Sequence, residues 1–242
     1  MPHAYDSNYI KHAVWDVEEK RDARFSTIIS PYQDFWHHSS IPNDRQYWTM
    51  CGAHYNEKVG KLKGELGHML EHDLIHPNQF YGVDCEDEII EKNKFYYPHI
   101  NWIHGDFIEV MQKHIEESNF NPAIINYDGV MMSRLSSEYL KKLFILIDKH
   151  VPKSLLLICS FVVSNPYNPG LIDNPQDPLR YLNREYWIAD HWFPIPEMIP
   201  YKHSTSNMLM MMWIKRDHDV NNIKITSGRV FEDWINEEGE MT

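Results

Sequence analysis

Short apolar runs that close on polar or acidic residues alternate along this chain with segments of helical spacing. Gln79-Phe80-Tyr81-Gly82-Val83-Asp84 ends on one acid, Ile100-Asn101-Trp102-Ile103-His104-Gly105-Asp106 on a second, and Pro122-Ala123-Ile124-Ile125-Asn126-Tyr127-Asp128 on a third. Strands alternating with helices predict a parallel sheet covered on both faces. In such sheets ligands bind outside the carboxyl ends of the strands, where these three acids fall. A nucleotide-type ligand is the expectation that follows.

The remaining elements fill in around these runs. Gln46 to Cys51 is the first strand, followed by a polar stretch with Lys and Gly and a helix from Glu65 to His72. Cys85-Glu86-Asp87-Glu88 places negative charge where a helix N-terminus favours it, predicting a helix to Tyr97. A helix from Phe107 to Glu117 precedes a fourth strand that ends near Asn126. Leu140, Leu143, Phe144 and Ile147 repeat at helical spacing behind Ser136-Ser137-Glu138, and Pro152 stops that helix. Ser154 to Val163 is an apolar run suited to a strand buried on both faces. Pro166, Pro169, Pro175 and Pro178 preclude regular structure over 165–180, a loop beside the strand ends. Glu185 to Trp192 reads as a helix, and Met198–His203 with Asn207–Arg216 as an antiparallel pair.

Composition narrows the setting. With 242 residues, 43% apolar and 24% charged, the chain suits one α/β domain. That domain spans 44–218, after an aromatic-rich extension over 1–43 and before an acidic tail over 219–242. A net charge of −12 excludes broad electrostatic capture of a phosphate backbone. Cys51, Cys85 and Cys159 are an odd, scattered set, which fits reduced thiols in the cytoplasm. No apolar run approaches the ~18 residues of a membrane span, and Met1-Pro2-His3-Ala4-Tyr5-Asp6 lacks the pattern of a secretion signal.

From Gln46 to Arg216 this order of elements resembles the class I S-adenosylmethionine-dependent methyltransferases. The stretch from Gly64-Glu65-Leu66 through Gly82-Val83-Asp84 to Gly105-Asp106-Phe107 is also similar to small methyltransferase-like proteins of phages. The resemblance implies a Rossmann-like, seven-stranded, mostly parallel sheet with helices on both faces and an antiparallel C-terminal strand pair. It implies S-adenosylmethionine as cofactor and methyl transfer to an unidentified acceptor, whether small molecule, protein or locally recognised nucleic acid. Residue by residue, Gly52 matches the loop after strand one, Asp84 the acid for the ribose hydroxyls, and Asp106 the acid near the adenine. A carboxylate accepting both hydroxyl hydrogens makes two charge-assisted bonds in fixed geometry. As plain structure, Asp84 is a helix N-cap, and Asp106 a turn or an N-cap before Phe107-Ile108. Glu65 could bind the amino group of the cofactor's methionine or complement its helix N-terminus. Asn126 and Asp128 match positions that orient the acceptor and take its proton, or else form a strand-end turn with Gly129.

The chain departs from the family at Trp48-Thr49-Met50-Cys51-Gly52-Ala53-His54, which offers one glycine and no acid. A rival expectation is therefore an accessory protein that keeps the fold without catalysis. Ser164-Asn165-Pro166-Tyr167 is similar to the Asn-Pro-Pro-Tyr tetrad of adenine amino methyltransferases, but lacks a proline and follows strand five rather than four. His68-Met69-Leu70-Glu71-His72 fits a zinc-peptidase pattern, yet the chain has 15 histidines and no placed third ligand. No metal site is expected. The methionines of Met208–Met212 read as a buried strand, and His37-His38 as surface. A nicotinamide enzyme is disfavoured because Gly-x-Gly-x-x-Gly follows no predicted strand.

Overall fold

The computed structural model describes residues 22–23, 25–29, 41–51, 55–56, 61–62, 64–131, 134–164, 188–189, 192–203, 206–217 and 225–226. Seven strands form the main sheet: β1 (Gln46–Met50), β2 (Phe80–Asp84), β3 (Asn101–His104), β4 (Pro122–Met131), β5 (Leu155–Ser164), β6 (Trp192–His203) and β7 (Ser206–Lys215). Four helices connect them: α1 (Gly64–Glu71), α2 (Asp87–Tyr96), α3 (Phe107–Glu116) and α4 (Arg134–His150). Their order across the sheet is β3-β2-β1-β4-β5-β7-β6. The pairs β1/β2, β2/β3, β1/β4 and β4/β5 are parallel, and β7 runs antiparallel to both neighbours. This is the Rossmann-like, seven-stranded, mostly parallel sheet with an antiparallel C-terminal pair that the resemblance implies.

The alternation along β1 explains how the sheet is covered. Tyr47 and Cys51 enter one core with Leu66 and Met69 of α1, Ile90 of α2, and Ile28 and Ile41 from the N-terminal region. Trp48 enters the opposite core with Phe107 and Met111 of α3 and Leu143, Phe144 and Ile147 of α4. Successive side chains of a strand point to opposite faces, so one short run serves both layers. The N-terminal residues Phe25–Ile29 form a single π-helical turn. Ile28 there is fully buried, and Phe25 packs on His72, in the turn after α1, with ring centroids 5.2 Å apart.

Two expectations need correction. Residues 185–192 do not form the predicted helix among the described positions: Ile188–Ala189 is a short strand paired with Ile225–Thr226, and Trp192 opens β6. The C-terminal hairpin is accordingly longer, and β6 carries Pro194, Pro196 and Pro200. Three prolines argue against a strand in sequence, but β6 is the sheet's edge, where a missing N–H costs no ladder bond. The fourth strand also runs past Asn126 to Met131. Its register against β5 shifts between Tyr127 and Met131, so Asp128 and Gly129 lie in a bulge instead of a terminal turn.

Candidate functional site

The chain runs outward from β1 through β2 to β3, then returns to place β4 on the other side of β1. That reversal opens a crevice at the carboxyl ends of β1 and β4, the position where open α/β sheets bind ligands. Register fixes which residues flank it. Thr49 lies level with Gly82 of β2 and with Asn126 of β4. Asp84, the last residue of β2, lies level with His104 of β3.

Asp84 is half-buried, and its carboxylate accepts the backbone N–H of Glu86 at 2.9 Å. The N-cap of α2 is Glu86 itself, so Asp84 closes a turn before the helix and does not cap it. Burial, assisted by the nearby charge of Glu86, raises its pKa to about 7, although the bonds from the Glu86 and Cys85 amides pull the other way. A carboxyl held so far above its ordinary range at a strand end is poised for a partner that donates hydrogen bonds. Gly82, two residues earlier, admits no side chain: an added Cβ would lie 2.5 Å from the Trp102 ring.

Asp106 stands beside Asp84 at the same edge because the Gly105 N–H bonds the Asp84 carbonyl at 2.9 Å. Gly105 makes that turn at φ +150°, where a side chain would also meet Val110. The Asp106 carboxylate caps α3, accepting from the amides of Ile108 at 3.0 Å and Glu109 at 3.1 Å. The local reading of Asp106 is thus present in full.

Glu65 takes the helix N-terminal place that one expectation gives it, and makes further contacts there. It lies in the first turn of α1, where its charge suits the helix N-terminus, but it is 3% exposed and faces the sheet. Its Oε1 accepts from the Tyr47 hydroxyl and from Asn126 Nδ2 at 2.5 Å, and its Oε2 from Thr49 Oγ1 at 2.7 Å. Asn126 is fully buried, and its Oδ1 has no hydrogen-bond partner among the described residues. Cys51 completes the group at the end of β1. Burial and the carboxylates of Asp84 and Glu65 push its thiol well above the usual range, so it stays protonated.

The structure therefore brings Glu65, Asp84 and Asn126 together around the end of β1. Asp106 lies one turn away, Asp128 sits half-buried in the β4 bulge, and Gly52 falls outside the described residues, as does Asn165-Pro166-Tyr167. Tyr47 and Thr49 were missed. The signal available for them was a polar Thr49 two positions from Tyr47 and from Cys51, hence on one face of an otherwise buried strand. In the zinc-peptidase-like segment, the His68 and His72 rings lie 4.9 Å apart, and no group of His, Cys, Asp or Glu among the described residues could hold a metal. No helix among them is long and apolar enough to cross a membrane.

No protein-family model and no curated protein matches the chain. Among solved structures, it is similar to a TehB-like SAM-dependent methyltransferase from Corynebacterium glutamicum, at 15% identity, over 81% of this chain and 95% of that one, with a TM-score of 0.42. It is similar to the N-methyltransferase NodS from Bradyrhizobium japonicum, at 11% identity, over 88% and 99% of the two chains, with a TM-score of 0.47. TrmN from Thermus thermophilus is similar at 6% identity, over 82% of this chain and 52% of that one, also with a TM-score of 0.47. These are likenesses of outline, and no residue role passes from those proteins to this one.

Proposed function

We propose that the crevice at the carboxyl ends of β1, β2 and β4 binds S-adenosylmethionine and directs its methyl group to an acceptor held against β4. The observation that carries this reading is Asp84, a half-buried carboxyl one strand from the reversal of the sheet, its pKa raised to about 7. Two vicinal hydroxyls donating to it would supply what its burial lacks. The presence of a ligand here has a second support in the buried Asn126 oxygen, which lacks a partner among the described residues. Asp106, just past the end of the next strand, borders the place where the base would lie.

When bound, S-adenosylmethionine supplies a methyl on a positively charged sulfur, transferred in line to a nucleophile as the carbon–sulfur pair returns to sulfur. The chain's part is to align the acceptor and receive its proton. Asn126 provides the alignment, and Asp128, in the adjacent bulge, the proton acceptor. Free thiols at Cys51, Cys85 and Cys159 suit a reducing compartment such as the cytoplasm.

Calorimetric titration with S-adenosylmethionine and S-adenosylhomocysteine tests this reading. Binding in the micromolar range, weakened about 100-fold or more in Asp84→Ala as two charge-assisted bonds are lost, is the expected result. Absence of binding to either compound in the wild-type protein would return the chain to the accessory-protein reading.

A further inference from the structure

The amide of Asn126 can be oriented in only one way. Glu65 offers only acceptor oxygens, and one of them lies 2.5 Å from the Asn126 side chain, so the atom facing it must be the nitrogen. Turning the amide over would press its oxygen against a carboxylate oxygen. Glu65 is itself immobilised by the Tyr47 hydroxyl on the same oxygen and by Thr49 on the other. Two strands and a helix thus hold one amide, and the oxygen left over is fully buried with no partner among the described residues. A buried acceptor without a donor destabilises the empty protein, and a ligand with a hydrogen to give would remove that penalty.

We propose that Glu65 is a positioning residue that fixes Asn126 with its carbonyl oxygen toward the ligand, so that the group recognised there is an N–H or O–H donor. The inference rests on the methyltransferase reading and deepens it: the acceptor substrate is an amine, amide or hydroxyl compound, and not a carbon nucleophile or a carboxylate. Asn126 lies two strands from Asp84 and two residues short of its level, roughly 11–12 Å at ordinary strand spacing and rise. That separation suits a cofactor whose ribose meets Asp84 while its methyl-bearing sulfur reaches β4.

The test uses an analogue that carries a donor at the transfer position. Sinefungin replaces the methylated sulfur with a carbon bearing an amine, whereas S-adenosylhomocysteine has a bare thioether there. The wild-type protein should bind sinefungin at least about tenfold more tightly than S-adenosylhomocysteine, as one added hydrogen bond to a charged donor predicts. Asn126→Leu should bring that ratio close to one while S-adenosylhomocysteine still binds. Glu65→Gln, which lets the amide turn over, should lower the ratio as well. An independent readout is the Asn126 side-chain amide in a nitrogen–proton spectrum, one proton strongly downfield in the wild type and restored to the ordinary range in Glu65→Gln. A ratio near one in the wild type, or a preference unchanged in Asn126→Leu, would overturn the inference while leaving cofactor binding standing. Loss of binding to both compounds in the wild type would overturn it together with the function it rests on.

Discussion

The two ends of the sheet are built from the same strands and finished in opposite ways. At the amino end, long side chains close the exposed backbone. Arg45 donates to the carbonyls of Pro122 and, at 2.7 Å, Ser154. Gln79 donates to those of Ile41, Pro42 and Arg45, and Gln46 receives the Asn121 amide at 3.0 Å. Lys215, at the end of β7 and fully buried, donates to the Lys153 carbonyl at 2.9 Å. At the carboxyl end, the groups are acceptors: Asp84 raised to about 7, Asp106 spent on a helix cap, and a buried Asn126 oxygen that no described residue serves. Donors matched to carbonyls make an end that is finished within the chain. Of these three acceptors, the Asn126 oxygen alone has no donor among the described residues, and it makes an end that a ligand completes, at a cost to the empty protein.

The sharpest way to break this contrast is to titrate Asp84. Its folded pKa lies above its unfolded value, so the empty protein should lose stability as pH rises from about 4 through about 7. Cofactor affinity should run the other way, because hydroxyl donors favour the charged form. Binding of S-adenosylhomocysteine should therefore strengthen across pH 7 in the wild type and stay flat in Asp84→Asn, measured by calorimetry at half-unit steps. A flat wild-type profile would remove Asp84 from the site.

Lys215→Met probes the other end. The substitution should cost about 1–3 kcal/mol of stability in urea unfolding, because it removes a charged donor's bonds to the Lys153 and Arg216 carbonyls, and should not change cofactor affinity. Burial lowers the pKa of Lys215 to about 8, so its contribution relative to the methionine variant should rise with pH between about 8 and 10.5. A change in ligand affinity would show that the two ends are not independent.

The smallest effect is expected at Asp106. Asp106→Ala should cost about 1 kcal/mol through the lost cap of α3, with Asp106→Asn close to neutral. If Asp106→Asn keeps stability but weakens cofactor binding, Asp106 does more than cap its helix.

Much of this arrangement could be read along the chain, since it depends on neighbours in sequence. Asp84 and Asp106 were visible because each follows an apolar run and precedes a helical one, and parallel strands return their carboxyl ends to one edge. The edge strand β6 was shortened by its prolines because a proline's cost depends on which side of the strand is paired, which the residues themselves do not state. The bulge at Asp128 was hidden because extra residues in one strand have meaning only against its partner.

The sequence by itself determined the alternation of strands and helices, the closing antiparallel pair and the acids at the strand ends, all set by periodicity within a few residues. Only the tertiary structure decided that Glu65, Tyr47, Thr49 and Asn126 meet, that Lys215 lies fully buried at the opposite end, and which atom of Asn126 is left without a described partner. A hydrogen bond between residues 65 and 126 depends on how helix and strands pack in three dimensions. No local pattern records which of two amide atoms a distant carboxylate will claim.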